Sequence, residues 1–465
     1  MGATSIAQLR TQVQAETGTP LWAWEEGFFQ EACRQARQAA QDWLEGLDTL
    51  LLRLKPAGWR VVGKRRRTLV TRFGEVTFAR RLYRDAQGRY RFLLDEVLDL
   101  PADQEASPDV MEAVVLLATG MAFSQVAQVL ACVMAGVLRV STVWRLVQRM
   151  ERRVQEAERA EGEGVFGRGA PPQGWGVRRA SRLYVEADGV LVRQRTGQGR
   201  TVWKELRLGV ADDEEGVQRV YVQGAEGPDV WEGASLVWGA VWDGSRVEEV
   251  VVNGDDAAWV EGARLLHLRV VRQWDGFHVA RAAYRAAGAK LGAALSRALQ
   301  AGDREEVATL WAQVPVPGKG ASQRQKKAWR WLQRHRDDPR MVRWWRQGGR
   351  SETGVETLGH IESLVGAIIA HRMKGKRRHG SLSGLQHMGK VLQVVRNHEL
   401  GLWCGRYPNR QPLSPPSARS PHRTSRRHRR NPGAWLQARV PLLHGPGPTD
   451  PHLLRLRDMI KRRLN

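Results

Sequence analysis

Asp188, Asp255 and Asp275 each close or interrupt a short strand-like run, and Glu362 lies further along beside an apolar helical stripe. Carboxylates carried on neighbouring strands repel one another unless a divalent cation lies between them. Oxygen ligation suits Mg²⁺ or Mn²⁺, and two such ions about 4 Å apart can activate one oxygen and stabilise another in phosphodiester chemistry. The residue types therefore point to metal-assisted cleavage or transfer at phosphorus, with Asp188, Asp255 and Glu362 as catalytic metal ligands. Asp275 and His278, three residues after it, are additional candidates. Glu356, nearer the start of the helix that carries Glu362 and favoured there by the helix dipole, is the alternative third carboxylate. Taken singly, Asp188-Gly189 and Gly254-Asp255 also read as turns at strand ends; their ordered occurrence favours a site.

The elements that must position these groups are legible from period. In LYVEADGVLVRQ, Leu183, Val185 and Ala187 fall on one face and Tyr184, Glu186 and Asp188 on the other. A turn in Thr196–Arg200, a return as TVWKELRLGV, a second turn through Asp212–Gly216 and the run VQRVYVQG give three antiparallel strands. A helix over Asp229–Trp242, the strand RVEEVVVN, a short helix over Ala257–Leu266 and the strand HLRVVRQWDGFH, ending at Asp275, follow. The order β-β-β-α-β-α-β is the plan of the ribonuclease-H-like α/β fold, whose first and fourth strands are adjacent, which would bring Asp188 and Asp255 together. In VETLGHIESLVGAIIAHRM, Ile361, Leu364, Val365, Ile368 and Ile369 form the apolar stripe beside Glu362.

An excess of 73 Lys and Arg over 49 Asp and Glu, a net charge of +24, attracts polyanions and makes nucleic acid the expected partner. Candidate phosphate contacts are Arg65, Arg66 and Arg67 in a small β-meander; Arg145 and Arg149 on a possible helix-turn-helix whose last helix opens at Ser141, its N-cap; Lys326, Lys327 and Arg330 in a tryptophan-rich helical stretch; and Arg372, Lys374 and Lys376. No signal-like leader and no apolar run of about 18 residues is seen, so a cytoplasmic chain with no membrane partner is expected. Cys33, Cys132 and Cys404 are too scattered for a disulfide framework or zinc knuckle. Domain expectations are residues 1–157 for a mixed helical and β region, 158–177 for a Gly/Pro-rich linker, 178–280 with 351–400 for the core, 281–350 for a helical insertion, and 401–465 for a basic, partly disordered tail.

ADG at Ala187–Gly189, NGDDA at Asn253–Ala257, WDGFH at Trp274–His278 and GHIES followed by HRMKG at Gly359–Gly375 resemble the DDE transposases of bacterial insertion sequences, closest to the ISLre group, distantly Mutator-like. RTLVTRFGEVTFARRLY and LDEVLDLP look like the same group, so the resemblance covers roughly 22–392. It implies Asp188, Asp255 and Glu362 as the triad, with two Mg²⁺ or Mn²⁺ ions. It further implies cleavage at element ends, transfer of the 3′-hydroxyl to target DNA, and a homo-oligomer acting on DNA in the bacterial nucleoid. The group usually shows glycine where Asp256 stands, which keeps Asp256 as an alternative to its neighbour. A nuclease without strand transfer and an inactive transposase-derived DNA-binding protein are the rival readings.

Overall fold

The computed structural model describes residues 21–223, 229–346, 358–374 and 380–405, with only the backbone of 21–24, 382 and 383. Among them the chain is mixed α/β with two sheets. The smaller sheet is a meander of β1 (Arg60–Thr71), β2 (Gly74–Arg84) and β3 (Tyr90–Arg91), antiparallel throughout and covered by the long helix α1 (Leu21–Leu54) and the short helix α2 (Leu93–Val97) through Leu44, Leu51, Val76, Phe78 and Leu94.

Alternation along β1 corrects one expectation. Arg65 and Arg66 are exposed, but Arg67 is turned inward, donating to the Asp95 carboxylate (2.7 Å) and to the carbonyls of Leu100, Pro101 and Gln104. A guanidinium held by four internal acceptors does not reach phosphate. Replacing Arg67 with methionine is expected to cost roughly 3 kcal/mol, because it leaves buried acceptors unpaired. Arg66→Gln should stay within about 0.5 kcal/mol of wild type; urea unfolding midpoints separate the two.

The larger sheet holds β4 (Arg182–Arg195), β5 (Thr201–Asp213), β6 (Gln218–Gln223), β7 (Glu249–Gly254) and β8 (Val270–Trp274), in the order β6-β5-β4-β7-β8. The first three strands pair antiparallel through tight turns in which Gly199 (φ 77°) and Gly216 (φ 79°) supply backbone that side chains resist. Crossovers through α6 (Val230–Gly239) and then α7 (Ala258–Glu261) lay β7 and β8 parallel to β4. The fifth strand is shorter than the sequence run suggests: it begins at Val270 rather than at His267, and Asp275 is already the N-cap of the next helix.

Both faces of this sheet are covered. Leu183, Val185 and Ala187 pack with Trp231, Trp238 and Val252 on one side. On the other, Val190, Val192, Leu206 and Leu208 share one core with α3 (Pro108–Gly120), α4 (Phe123–Val133), α5 (Val140–Gly162) and α13 (Leu382–Arg396). Side chains of α13 and of its C-cap also close the sheet edge: Gln393 Oε1 accepts from the Val222 N–H (3.0 Å) and Asn397 Oδ1 from that of Val220 (2.8 Å).

Three further expectations are corrected around this shared core. The stretch 158–177 is not a linker throughout, since α5 runs to Gly162 and continues as a π-helical turn over Glu163–Gly167. Glu158 is held there by the buried Lys390 (2.7 Å), leaving 169–181 as the irregular connection. The expected DNA-reading face of α5 is occupied from within. Arg149 is buried against Asp103 (2.9 Å) and Glu105 (3.4 Å), and the more exposed Arg145 also faces Glu105 (3.4 Å). Nor is Ser141 the cap: the helix starts at Val140 behind Arg139, whose carbonyl accepts from Thr142 and Val143.

After β8 come α8 (Gly276–Ala287), α9 (Ala289–Ala301), α10 (Arg304–Trp311) and α11 (Gln323–His335). They enclose a core of their own from Val279, Ala283, Leu295, Leu299 and Leu332, with Trp311 stacked on Trp329. The helix α12 (Ile361–Val365), extended by a π-helical turn to Ala370, buries Ile361, Val365, Ile368 and Ile369 in the main core.

Candidate metal centre

The last rung between β4 and β7 pairs Ala187 with Gly254, so Asp188 and Asp255 follow it side by side. Asp188 therefore lies inside β4, at the point where the parallel pairing ends, rather than at a strand end or in a turn. Gly254 is required by proximity: a Cβ there would stand 2.8 Å from Val260 and 3.1 Å from the Ala187 carbonyl. The neighbouring strand contributes Asp275, which caps α8 by accepting from the His278 N–H (3.2 Å) and also meets His278 Nδ1 at 2.8 Å. That bond turns the imidazole toward the two aspartates, and donor atoms of Asp188, Asp255 and His278 all lie within 4.8 Å of one another.

Glu362 stands beside this cluster rather than inside it. Its Oε1 is 3.9 Å from His278 Nε2 and 3.9 Å from an Arg281 nitrogen. Asp256 is turned away and accepts from the Trp331 indole N–H (2.8 Å), so of the two adjacent aspartates Asp255 is the one that joins the cluster. Glu356 and Lys376 lie outside the described residues.

Charge is costly here. Burial pushes the Asp188 carboxyl up to about 6; His278 opposes that rise, while Asp255 and Glu362 add to it. Burial also works against a proton on His278, but the Asp275 hydrogen bond and the charges of Asp275 and Asp188 outweigh it and raise its pKa. Two aspartates facing one imidazole in a half-buried corner form a donor set that a divalent cation fits, with carboxylates for a hard ion and imidazole suiting Mn²⁺ better than Mg²⁺.

Beneath the cluster runs a buried polar row in strict register, Glu186 on β4, Asn253 on β7 and Gln273 on β8. Asn253 Nδ2 donates to Glu186 Oε2 (2.9 Å) and Asp275 Oδ1 (3.1 Å), while its Oδ1 accepts from Gln273 Nε2 (2.8 Å). Glu186 Oε1 accepts from the backbone N–H groups of Gly359 and His360, the latter at 3.0 Å, at the entry to the Glu362 helix. One side-chain network thus fixes both the cap that orients His278 and the segment that delivers Glu362. Sequence reasoning passed over Glu186 and Asn253. Their signal was a carboxylate two residues before Asp188 on the same face, and an amide just before Gly254-Asp255.

Asp212, on the same face of β5, is pushed up to about 7 by burial, with the Gln218 hydrogen bond opposing the rise and the charge of Glu186 adding to it. A carboxyl near 7 in the fold and about 4 in the unfolded chain is neutral in both states below pH 4. Its cost grows as pH rises to 7 and persists above that. Asp212→Asn is therefore expected to raise stability by roughly 2 kcal/mol at pH 8 and to be close to neutral at about pH 4, read as urea midpoints at the two pH values.

The remaining candidate DNA contacts are spread out. Lys327, Arg330 and Lys374 are exposed. Lys326 is half-buried with its ammonium on the Lys319 carbonyl (3.1 Å), and Arg372 donates to the Ala118 carbonyl (2.6 Å). Among the described residues no helix is long and apolar enough to cross a membrane.

A family model described as "Uncharacterised protein family (UPF0236)" matches residues 15–411. A curated relative from Streptococcus gallolyticus, "UPF0236 protein in vanSb 3'region", is 34% identical over 136 residues, which make up 29% of this chain and 27% of that protein. The matched stretch thus spans about a quarter of the relative's length.

Proposed function

The chain belongs to the uncharacterised protein family UPF0236, whose description names no activity, and from its site we propose a divalent-metal-dependent DNA transposase on a ribonuclease-H-like core. The observation that carries this reading is the meeting of Asp188, Asp255 and His278 within 4.8 Å, with Glu362 alongside. The strand order β6-β5-β4-β7-β8, with β4 beside β7, is the arrangement a ribonuclease-H-like core requires and supports the same reading.

Asp188 and Asp255 would hold the cation, with Glu362, alongside them, as its further carboxylate. A bound Mg²⁺ or Mn²⁺ would neutralise the developing charge on phosphorus-bound oxygens and lower the pKa of an attacking water or 3′-hydroxyl. His278, with Nδ1 on Asp275, leaves Nε2 facing the site as a ligand or a proton carrier. The basic surface supplies the sequence-independent grip on DNA, and handling two element ends together calls for at least two copies. Hydrolysis at the element end followed by attack of the freed 3′-hydroxyl on target DNA is the proposed sequence of events.

The experiment supplies a DNA carrying the element's own ends, with Mg²⁺ or Mn²⁺, and follows both nicked and joined products. Cutting and joining are expected. Cutting without joining of pre-cleaved ends would make the chain a nuclease, and binding without cutting in either metal would make it a DNA-binding protein.

A further inference from the structure

We propose that the helical insertion closes one side of the metal centre with a four-cation clamp that binds a phosphodiester group of the DNA strand next to the one being cut; this deepens the reading above and rests on it for the identity of the strand. Between α8 and α11 lies a cavity of about 270 Å³ that opens directly on Asp255. Arg281 and Arg285 reach it from α8, on the same helix face as His278, and Arg324 and Lys327 reach it from α11. The Trp331–Asp256 hydrogen bond ties α11 to the end of β7, so the two walls are fixed relative to the metal ligands.

Four cations line this small space against two carboxylates, Asp255 and Asp256, so positive charge is in excess there, and among the described residues the only acidic group within salt-bridge distance of any of the four is Glu362, 3.9 Å from Arg281. An arrangement of that kind is stabilised by an anion. The cavity falls just under the size that encloses a drug-like ligand, which suits a phosphate with part of its sugar rather than a whole base. Three guanidinium forks and one ammonium match phosphate oxygens. A clamp there would hold the strand in register over Asp188 and Asp255 without reading its sequence.

The test measures binding of a short labelled single-stranded DNA in EDTA, across a salt series, to the full chain and to Arg285→Gln, Arg324→Gln, Lys327→Gln and the control Arg297→Gln, an exposed arginine on α9. Each clamp variant is expected to bind about 5- to 10-fold more weakly at low salt and to lower the salt slope by about one, the control doing neither. Inorganic phosphate at millimolar concentration should fail to displace the strand; if it displaces the strand completely, the site takes free phosphate and the strand assignment is wrong. Clamp variants that match the control overturn the proposal. Because no metal is present, the two readings separate. Clamp variants that lose binding in a chain that never cuts leave the clamp standing without the transposase, and a chain that cuts while its clamp variants bind like the control leaves the transposase without the clamp.

Discussion

Asp188→Asn is expected to lower metal-dependent DNA cutting by about three orders of magnitude or more, to leave DNA binding within about twofold, and to raise the melting temperature of the metal-free protein. The first effect follows from removing a ligand that Asp255 and His278 cannot replace from their side of the cluster. The second follows because DNA grip comes from cations elsewhere on the surface. The third is the more discriminating. Burial raises the Asp188 pKa to about 6, with the charges of Asp255 and Glu362 adding to the rise and His278 opposing it. An amide of the same shape removes the cost of burying that charge, a gain on the order of 1 kcal/mol in the absence of a cation. Asp255→Asn should likewise lose cutting while keeping DNA binding, and Glu362→Gln should lose cutting while changing stability little, since Glu362 is only partly buried. Thermal melts with and without Mn²⁺ beside rates on nicked substrate check all three variants; an Asp188→Asn protein that cuts within tenfold of wild type would remove Asp188 from the site.

Asn253→Ala is expected to cost about 3 kcal/mol and to weaken metal binding roughly 10- to 100-fold, even though Asn253 is not among the proposed ligands. Its amide is the shared donor between two buried carboxylates, Glu186 and Asp275, and its carbonyl takes the Gln273 donor. Without it both carboxylates lose a hydrogen bond where water does not reach, Asp275 loses part of what fixes its cap on His278, and Glu186 loses part of what holds it under Gly359 and His360. Urea unfolding gives the stability term and Mn²⁺ titration of the folded variant gives the affinity term. A variant as stable as wild type would mean the row is not stabilising; an unstable variant with unchanged affinity would mean it does not position the ligands.

Much of this arrangement was legible in the chain. Alternation in LYVEADGVLVRQ assigned Asp188 to its face, and glycine-bearing turns at Thr196–Arg200 and Asp212–Gly216 marked the antiparallel strands. What escaped was set by tertiary cover. Period two tells which face a residue takes but not that both faces are buried, so Glu186 passed as an ordinary strand residue. The basic run Arg65–Arg67 reads as a set of phosphate contacts until β pairing turns Arg67 inward onto Asp95. Glycine and charge at Glu158–Gly167 resemble a linker, yet Lys390, on a helix far along the chain, holds Glu158 and the helix goes on. His278 stood only as an additional candidate, because its orientation depends on Asp275 acting as cap and partner at once.

The most direct measurement is a calorimetric titration of Mn²⁺ into the wild type, Asp188→Asn and Asp255→Asn proteins at pH 7.5. Saturable binding in the wild type that is lost or weakened at least tenfold in both variants is the result expected of a metal centre at Asp188, Asp255 and His278. No saturable binding in the wild type, or equal binding in all three, would contradict it.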